Sequence, residues 1–265
     1  MAETNVVTIR EADGSIVKLE VHASLPSTSA LAREYAKAGY PDRYAIFAPK
    51  QNKTVQTGNK PGDDGTENGM FMSLILRPSI FPSQASLLGA MTAASLVSAL
   101  EEHTVKNLGL GWVSDLYCDG KKIGSTSIEG KLDSYTAYEY IIITFAVRLD
   151  SQCFPPRLTD MIKKVFESEN SSISMIIAKN VLSKFFRYYS VIKSSAKFMN
   201  VYKNKFILRG RRIKYQSGDK KRRCKVLGID TATGALIVEL SGGELRHITS
   251  PAFVTMPKRV KIKKR

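Results

Sequence analysis

The sequence predicts an α+β protein, with a central mixed β-sheet flanked by helices and then a small β-barrel. Three observations predict it. Over the first 208 residues, short β-branched runs alternate with helix-length runs. One of those, Ala85 to Leu100, is apolar on all sides, as a helix buried in a core would be. At Arg209 the composition shifts to short strands separated by Gly-containing turns, the pattern of a five-stranded barrel of about 50 residues.

The elements follow in order. Val6 to Arg10 and Ile16 to Val21 alternate around Asp13-Gly14, a hairpin signal. Pro26-Ser27-Thr28 precedes SALAREYAKAG, a capped helix with Ala30, Leu31 and Tyr35 on one face and Gly39 as its stop. Tyr44 to Ala48 is a short strand. Residues 49 to 68 form a long polar segment without periodicity, and loops of that length are functional or disordered. Met70 to Leu76 reads as a buried strand, and Ser83 caps the apolar helix that runs to about His103. Leu108 to Cys118 reads as one strand, Asp119-Gly120 as a tight turn, and Lys121 to Ile128 as its antiparallel return. Tyr138 to Leu149, rich in β-branched and aromatic residues, is a central strand. Helices are expected near Arg157 to Glu167 and from about Ser174 to Lys193. Turns in the last part fall at Ser217-Gly218-Asp219, Thr231 to Gly234 and Gly242-Gly243. These divisions imply a core domain over residues 1–208, a small barrel over 209–256 and a basic tail over 257–265.

Bulk properties narrow the function. The 265 residues are 43% hydrophobic and 24% charged, ordinary for a soluble chain. The N-terminal stretch has no apolar core of signal-peptide length, so a cytoplasmic location is expected. Ala85 to Leu100 is short for a membrane span and is broken by Ser and Thr, so no membrane contact is expected. Cys118, Cys153 and Cys224 are odd in number and far apart; they read as three reduced thiols, without zinc spacing or a disulfide framework. His22, His103 and His247 are scattered and suggest no triad.

The net charge of +16 is uneven. Arg209 to Arg265 holds 16 Lys/Arg against four Asp/Glu, a net of +12, which leaves +4 for the rest. Arg209, Arg211, Arg212, Lys214, Lys220, Lys221, Arg222, Arg223 and Lys225 concentrate on two strands and their turn. Such a patch attracts polyanions. Docking of an acidic protein is the plainer reading. Nucleic acid is favoured by electrostatics but by no motif, and Tyr215 is almost alone as an aromatic there.

Six blocks carry a resemblance. They are Pro26-Ser27-Thr28-Ser29 opening a helix; Ala48-Pro49-Lys50-Gln51; Gly69 to Pro78, GMFMSLILRP; Trp112-Val113-Ser114-Asp115; Gly120-Lys121-Lys122-Ile123; and Glu129 beyond it. In this order and spacing the chain resembles the biotin-protein ligase family, within the biotin/lipoate ligase fold, from about Ala23 to Phe253. No helix-turn-helix precedes the blocks, so repression through the usual N-terminal DNA-reading domain is not expected. The final barrel resembles the SH3-like barrel that ends many of these ligases.

The resemblance implies ATP-dependent activation of biotin to biotinyl-AMP, then transfer to a lysine of a carboxylase's biotin-carrier domain. The implied substrates are biotin and ATP, with Mg²⁺ in the active form, and the implied partners are that acidic carrier domain and a second copy of the chain. On this template Ser27, Thr28 and Gln51 hydrogen-bond the biotin ring, whose buried ureido group needs partners. Lys122 offers its ammonium to the carboxylate or phosphate, with Lys121 and Gly124 beside it. Asp115 contacts Mg²⁺ or orients the adenylate, and Trp112 walls the pocket. Each residue has a plainer reading alone: Ser-Thr as a helix cap, the lysines as solvated hairpin residues, Trp112 as core.

The departures fall on phosphate handling. The family's adenylating loop, G-R-G-R-x-G-R, aligns with Thr54-Val55-Gln56-Thr57, and residues 52–68 hold no arginine. Lys53 and Lys60 lack arginine's bidentate fork, and the glycines are displaced to Gly58, Gly62 and Gly65. The lysine before the Trp block is Gly111 and its asparagine is Ser114. The end of the central strand has become Thr144-Phe145-Ala146-Val147-Arg148, where Phe145 adds bulk and Arg148 a cation. Losing one preorganised cation costs roughly 3–4 kcal/mol of transition-state stabilisation. Three functions stay open: a ligase with impaired catalysis, a non-catalytic homologue binding a biotin-like ligand or a protein, and a nucleic-acid-binding adaptor.

Overall fold

The structure, a computed structural model, describes residues 5–11, 13–52, 66–78, 80–104, 106–149, 153–154, 173–192, 194–217, 220–250 and 254–255. The expected helix near Arg157 to Glu167, the adenylating-loop positions from Lys53 to Gly65, and the tail over 257–265 lie outside them.

Eight strands form one mixed sheet: β1 (Asn5–Arg10), β2 (Ile16–Val21), β3 (Tyr44–Asn52), β4 (Thr66–Leu76), β5 (Leu108–Leu110), β6 (Asp115–Cys118), β7 (Lys121–Leu132) and β8 (Tyr138–Arg148). Their order is β1-β2-β3-β4-β8-β7-β6-β5, with β2 and β3 parallel and the other neighbours antiparallel. The expected hairpin and central strand are both present. The polar segment is narrower than expected, because β3 runs on to Asn52 and β4 starts at Thr66, placing Gln51 opposite Glu67 on a ladder.

Helix α1 (Thr28–Lys37) covers one face of the sheet; α2 (Ala85–Leu100) and α3 (Ile173–Tyr189) cover the other, and α4 (Ala196–Lys205) packs against α2. The side chains of β8 alternate between the layers. Ile141, Ile143, Phe145 and Val147 join the α2–α3 core, while Tyr140 and Ile142 join the smaller cluster under α1. Thr28, Ala32 and Ala36 form the buried side of α1. Ala30 lies off that face, which is set by small residues that let the helix approach the sheet.

Several expectations are corrected. Leu108 to Cys118 is a hairpin rather than one strand: Gly111 to Ser114 leave the ladder, and Leu108 pairs with Cys118. Backbone groups of that turn are satisfied off the ladder, Gly111 N–H by Asp115 O at 2.8 Å and Gly111 O by the Tyr202 hydroxyl at 3.0 Å. Ser83 sits in a 3-10 turn over Pro82–Gln84 and does not cap α2. The long helix stops at Tyr189, and α4, which was not anticipated, follows Ser194-Ser195; its Phe198, Met199 and Tyr202 are buried at helical spacing. Cys118 and Cys153 form a disulfide, with Cα atoms 6.1 Å apart; Cys224 alone is a free, buried thiol. Sequence separation hid that pair, because β6 and the segment after β8 meet only in the folded sheet.

The stretch Pro82–Leu100 is long and apolar enough to cross a membrane by length and composition, yet it is packed inside the core. Two of its hydroxyls are satisfied within the helix, Thr92 donating to Leu88 O and Ser95 to Met91 O, both at 2.8 Å.

The second sheet is antiparallel in the order β12-β11-β10-β9-β13, from β9 (Arg212–Ser217), β10 (Lys220–Ile229), β11 (Leu236–Leu240), β12 (Leu245–Ile248) and β13 (Val254–Thr255). Gly234, Gly242 and Gly243 take positive φ at its turns, as expected. Side-chain hydrogen bonds pin it to the preceding part of the chain, among them Ser195 Oγ donating to Thr231 O at 3.2 Å. Trp112 Nε1 donates to Gly234 O at 2.9 Å, and Ser86 Oγ donates to Thr249 O at 2.6 Å.

Candidate active site

A row of polar side chains crosses the α1 face of the sheet, apart from the buried Glu20 that Tyr35 and Tyr44 hydrogen-bond. Met70 to Leu76 contains one polar residue, Ser73, and it is fully buried. It lies opposite Thr144 of β8, and their hydroxyls are 3.0 Å apart. Ser73 Oγ donates to Thr28 Oγ1 at 3.0 Å. Thr28 then donates twice to Gln51 Oε1, from its backbone N–H at 2.9 Å and from its hydroxyl at 3.3 Å.

The direction of this row follows from proton counting. A hydroxyl has one hydrogen, so Thr144 donates to Ser73, Ser73 to Thr28, and Thr28 to Gln51. A backbone N–H can only donate, so the Gln51 side-chain oxygen must be the atom facing α1. The Gln51 amide nitrogen therefore points away and has no partner among the described residues. Among the described residues the row thus ends in the two unpartnered N–H groups of the Gln51 amide, which suit a neutral acceptor such as a carbonyl.

Ser27 is the α1 N-cap, accepting from Ala30 N at 3.2 Å, so the capping reading holds for it. On the same face Arg33 Nη2 of α1 lies 2.5 Å from Glu129 Oε2 of β7, a surface pair with both side chains 42% exposed.

The second part of the site is at β6 and β7. Asp115 pairs with Ser125 and Tyr117 with Lys122, leaving Ile123 as an extra residue on β7. That bulge puts Lys122, rather than Ile123, on the face of Asp115. Lys122 Nζ is 2.6 Å from Asp115 Oδ1, with the carboxylate side chain 10% exposed and the lysine 39%. The Tyr117 hydroxyl donates to Asp115 Oδ2 at 3.4 Å. Burial, and after it the charge of Asp115, pushes the Tyr117 and Tyr202 hydroxyls well above the usual phenol range, so both stay protonated.

Arg148, at the end of β8, donates from Nη2 to Lys122 O at 2.9 Å and so clamps the bulged strand. A Cβ on Gly69 would sit 2.1 Å from Val147 O, and one on Gly124 would sit 2.4 Å from Ala146 O. Both glycines are thus demanded by strands crowding the end of β8, which gives Gly124 a packing reason for its place. Lys121 is exposed on the opposite side of β7 from Lys122.

Two expectations about the pocket change. Trp112 is 1% exposed and donates its N–H to Gly234 in the turn before β11, as the plainer core reading has it. Phe145 adds no bulk to the α1 face, since it points the other way and packs edge-on against Phe185, ring centroids 6.2 Å apart. Of the basic residues named from sequence, Arg209, Arg212, Lys221, Arg222 and Arg223 are exposed, Arg211 is half-buried, and Lys220 lies on β10. Sequence reasoning missed Ser73 and Thr144 as site residues. The readable signal was a lone hydroxyl inside a buried apolar strand, which must find a partner.

No family model matches the chain. In sequence it is 26% identical over 170 residues to the bifunctional ligase/repressor BirA of Bacillus subtilis, covering 63% of this chain and 52% of BirA. The chain spans about half the length of the curated relatives it matches. In structure it superposes on the biotin protein ligase from Aquifex aeolicus in complex with biotin and ATP with a TM-score of 0.62 and 19% identity, covering 88% of this chain and 95% of that one. It also superposes on a biotin protein ligase-like protein of unknown function from Silicibacter with a TM-score of 0.64 and 11% identity, covering 88% and 94%. The chain has the fold of the biotin protein ligases and is similar in sequence to part of BirA.

The Mg²⁺ that the resemblance implies can be tested against the donors present. No group of three or more His, Cys, Asp or Glu that could hold a metal occurs among the described residues. Asp115 is a single carboxylate already paired with an ammonium. Mg²⁺ sites use one or two carboxylates plus substrate phosphates, so these residues do not form a protein-held metal site.

Proposed function

We propose that this chain is a biotin-protein ligase-type protein that holds biotin on the α1 face of the large sheet and adenylates it slowly. The observation that carries the reading is the row Thr144–Ser73–Thr28–Gln51, which presents unspent N–H donors at its end. A ureido carbonyl is an acceptor that such donors suit, and burying it unpaired would cost a few kcal/mol. The buried hydroxyls fix Gln51 in advance, so little order is lost on binding.

The chemistry has two balanced steps. A biotin carboxylate oxygen attacks the α-phosphorus of ATP and pyrophosphate leaves, giving biotinyl-AMP. The amine of an acceptor lysine attacks the acyl carbon, AMP leaves, and the amine's proton passes to solvent. The acceptor is the biotin-carrier domain of a carboxylase, in the cytoplasm, and a second copy of the chain completes a homodimer. Residues 1–208 serve as the catalytic domain and 209–256 as the appended barrel.

Slow adenylation follows from charge. The first step brings two anions together and depends on preorganised cations. Lys122 supplies one, but Asp115 beside it offsets much of its field. Arg148 is committed to the Lys122 carbonyl. Val55 stands where the family's loop has arginine. Two lost cations correspond to a step slower by roughly 10⁴- to 10⁵-fold or more, if their effects add.

A thermal-shift panel of biotin, lipoate, octanoate and ATP, run beside a pyrophosphate-release assay, tests this. Biotin is expected to raise the melting temperature, with pyrophosphate release far slower than for a standard ligase and faster in Val55→Arg. Absence of any shift with all three acids would overturn the binding reading. Release at the standard rate would overturn the slow-step reading.

A further inference from the structure

The ladder between β9 and β10 sets cations against cations. Arg212 pairs with Lys225 and Lys214 with Arg223, and Lys221 lies two residues further along, opposite Gln216. Directly opposed and alternate residues share a face, so these five cations form one exposed surface, with Ile213 and Cys224 buried beneath it. Its one ion pair among the described residues is Lys225 with Glu239, at 3.8 Å. Like charges directly opposite each other destabilise an antiparallel pair. Folding alone gives no reason for such an arrangement, and the chain keeps it on two rungs of the same face, either side of the Ile213–Cys224 pair.

The geometry points to a double-helical nucleic acid as the occupant of this ribbon, held by its phosphate backbone. Cations two residues apart on a strand repeat at about 6.8 Å. Two nucleotides of one duplex strand advance about the same distance along the axis. Across the β9–β10 ladder the five cations share this face with Gln216, and the adjoining strands add Glu239 and the exposed Leu245 at its edge, so no apolar or aromatic side chain lies among the cations themselves. A protein partner would be expected to find an apolar or aromatic centre, a membrane an inserting side chain, and a single strand aromatic rings for stacking. A phosphate backbone needs only cations at regular spacing. The sequence showed that these residues were basic and close together. The pairing register shows that they are on one side.

The test uses the full chain and a labelled random-sequence duplex DNA in fluorescence anisotropy across a salt series, with duplex RNA and single-stranded DNA as further arms. Duplex binding is expected at low salt, with a log–log salt slope near −4, or about −0.9 per phosphate contacted. Replacing Arg212, Lys214, Arg223 and Lys225 by Gln should weaken duplex binding at least tenfold and flatten the slope by about 3 to 4. The same variant should melt at or above the parent temperature, since it loses repulsion rather than packing; that separates lost binding from lost folding. The control replaces Lys18, Lys37, Lys197 and Lys203, four exposed lysines off the ribbon, and should retain binding. The inference is overturned by absent or salt-insensitive duplex binding, by an equal loss in the control, by tighter binding to single strands, or by displacement of the duplex with polyglutamate at equal charge, which would mark an acidic protein as the partner.

Discussion

Lys122 Nζ lies 2.6 Å from Asp115 Oδ1, and the two side chains share a face only because the bulge at Ile123 turns Lys122 toward the carboxylate. The pair is asymmetric, since Asp115 is buried and Lys122 is 39% exposed. Removing the lysine strands a carboxylate with only the 3.4 Å hydroxyl of Tyr117, whereas removing the acid leaves an ammonium that water can reach. Lys122→Met is therefore expected to destabilise the protein by about 1–3 kcal/mol and Asp115→Asn by less than about 1. Urea unfolding of both variants checks the order, and a larger loss for Asp115→Asn would contradict it.

Gln51 and Ser73 belong to one hydrogen-bonded row but have separable roles. Gln51→Leu removes the free amide and also leaves Thr28 N–H without its acceptor. Ser73→Ala breaks the row behind it while Gln51 keeps its bond from Thr28 N–H. Biotin binding should fall roughly tenfold or more in Gln51→Leu, and by only a few-fold in Ser73→Ala, whose main effect is a stability loss of about 1 kcal/mol. Calorimetric titration beside thermal unfolding reads both. Equal binding losses would show that the row, rather than the amide at its end, sets affinity.

The large sheet was legible because its signals are local. Asp13-Gly14 and Asp119-Gly120 each announce a hairpin, and β-branched density marks β8. What escaped depends on register or on distant segments. Parity along β8 decides that Phe145 faces Phe185 while Thr144 faces Ser73, and one bulge decides where Lys122 points. Trp112 has the composition of either a pocket wall or a core residue, and only the position of Gly234, far along the chain, separates the two. Cys118 and Cys153 gave no sequence cue for the same reason. Helix α4 could have been read from Phe198, Met199 and Tyr202, which are buried at helical spacing.

Trp112 and Gly234 couple the two sheets. Gly234 has φ +75°, and a Cβ there would lie 2.6 Å from Ser86 O, so backbone strain and a clash with α2 coincide. Gly234→Ala should cost about 2–3 kcal/mol or more. Trp112→Phe loses only the N–H bond and some volume, for about 1–2 kcal/mol. Hydrogen exchange should show faster opening of β11 in both variants, with β3 and β4 unchanged in Trp112→Phe. Uniform acceleration over both sheets in Trp112→Phe would mean that the indole supports the main core instead.

The pH dependence of stability should carry a contribution from Glu11, just after β1. Its carboxyl is buried, with Oε1 unpartnered among the described residues. Burial first, and the nearby Asp13 second, raise its pKa above 4.5, with Arg43 and Ser183 opposing. A raised carboxyl means that the folded state holds the proton more tightly than the unfolded chain. Its stabilising contribution is complete below pH 4.5 and is lost as pH rises through the folded value. At neutral pH the folded chain therefore bears a buried, poorly partnered charge. Glu11→Gln removes that charge, so the variant should melt higher than the parent at pH 7, with the gap closing as pH falls below 4.5. Paired thermal melts across this range check the sign; a gap that widens toward acid would show that the Arg43 and Ser183 contacts outweigh burial.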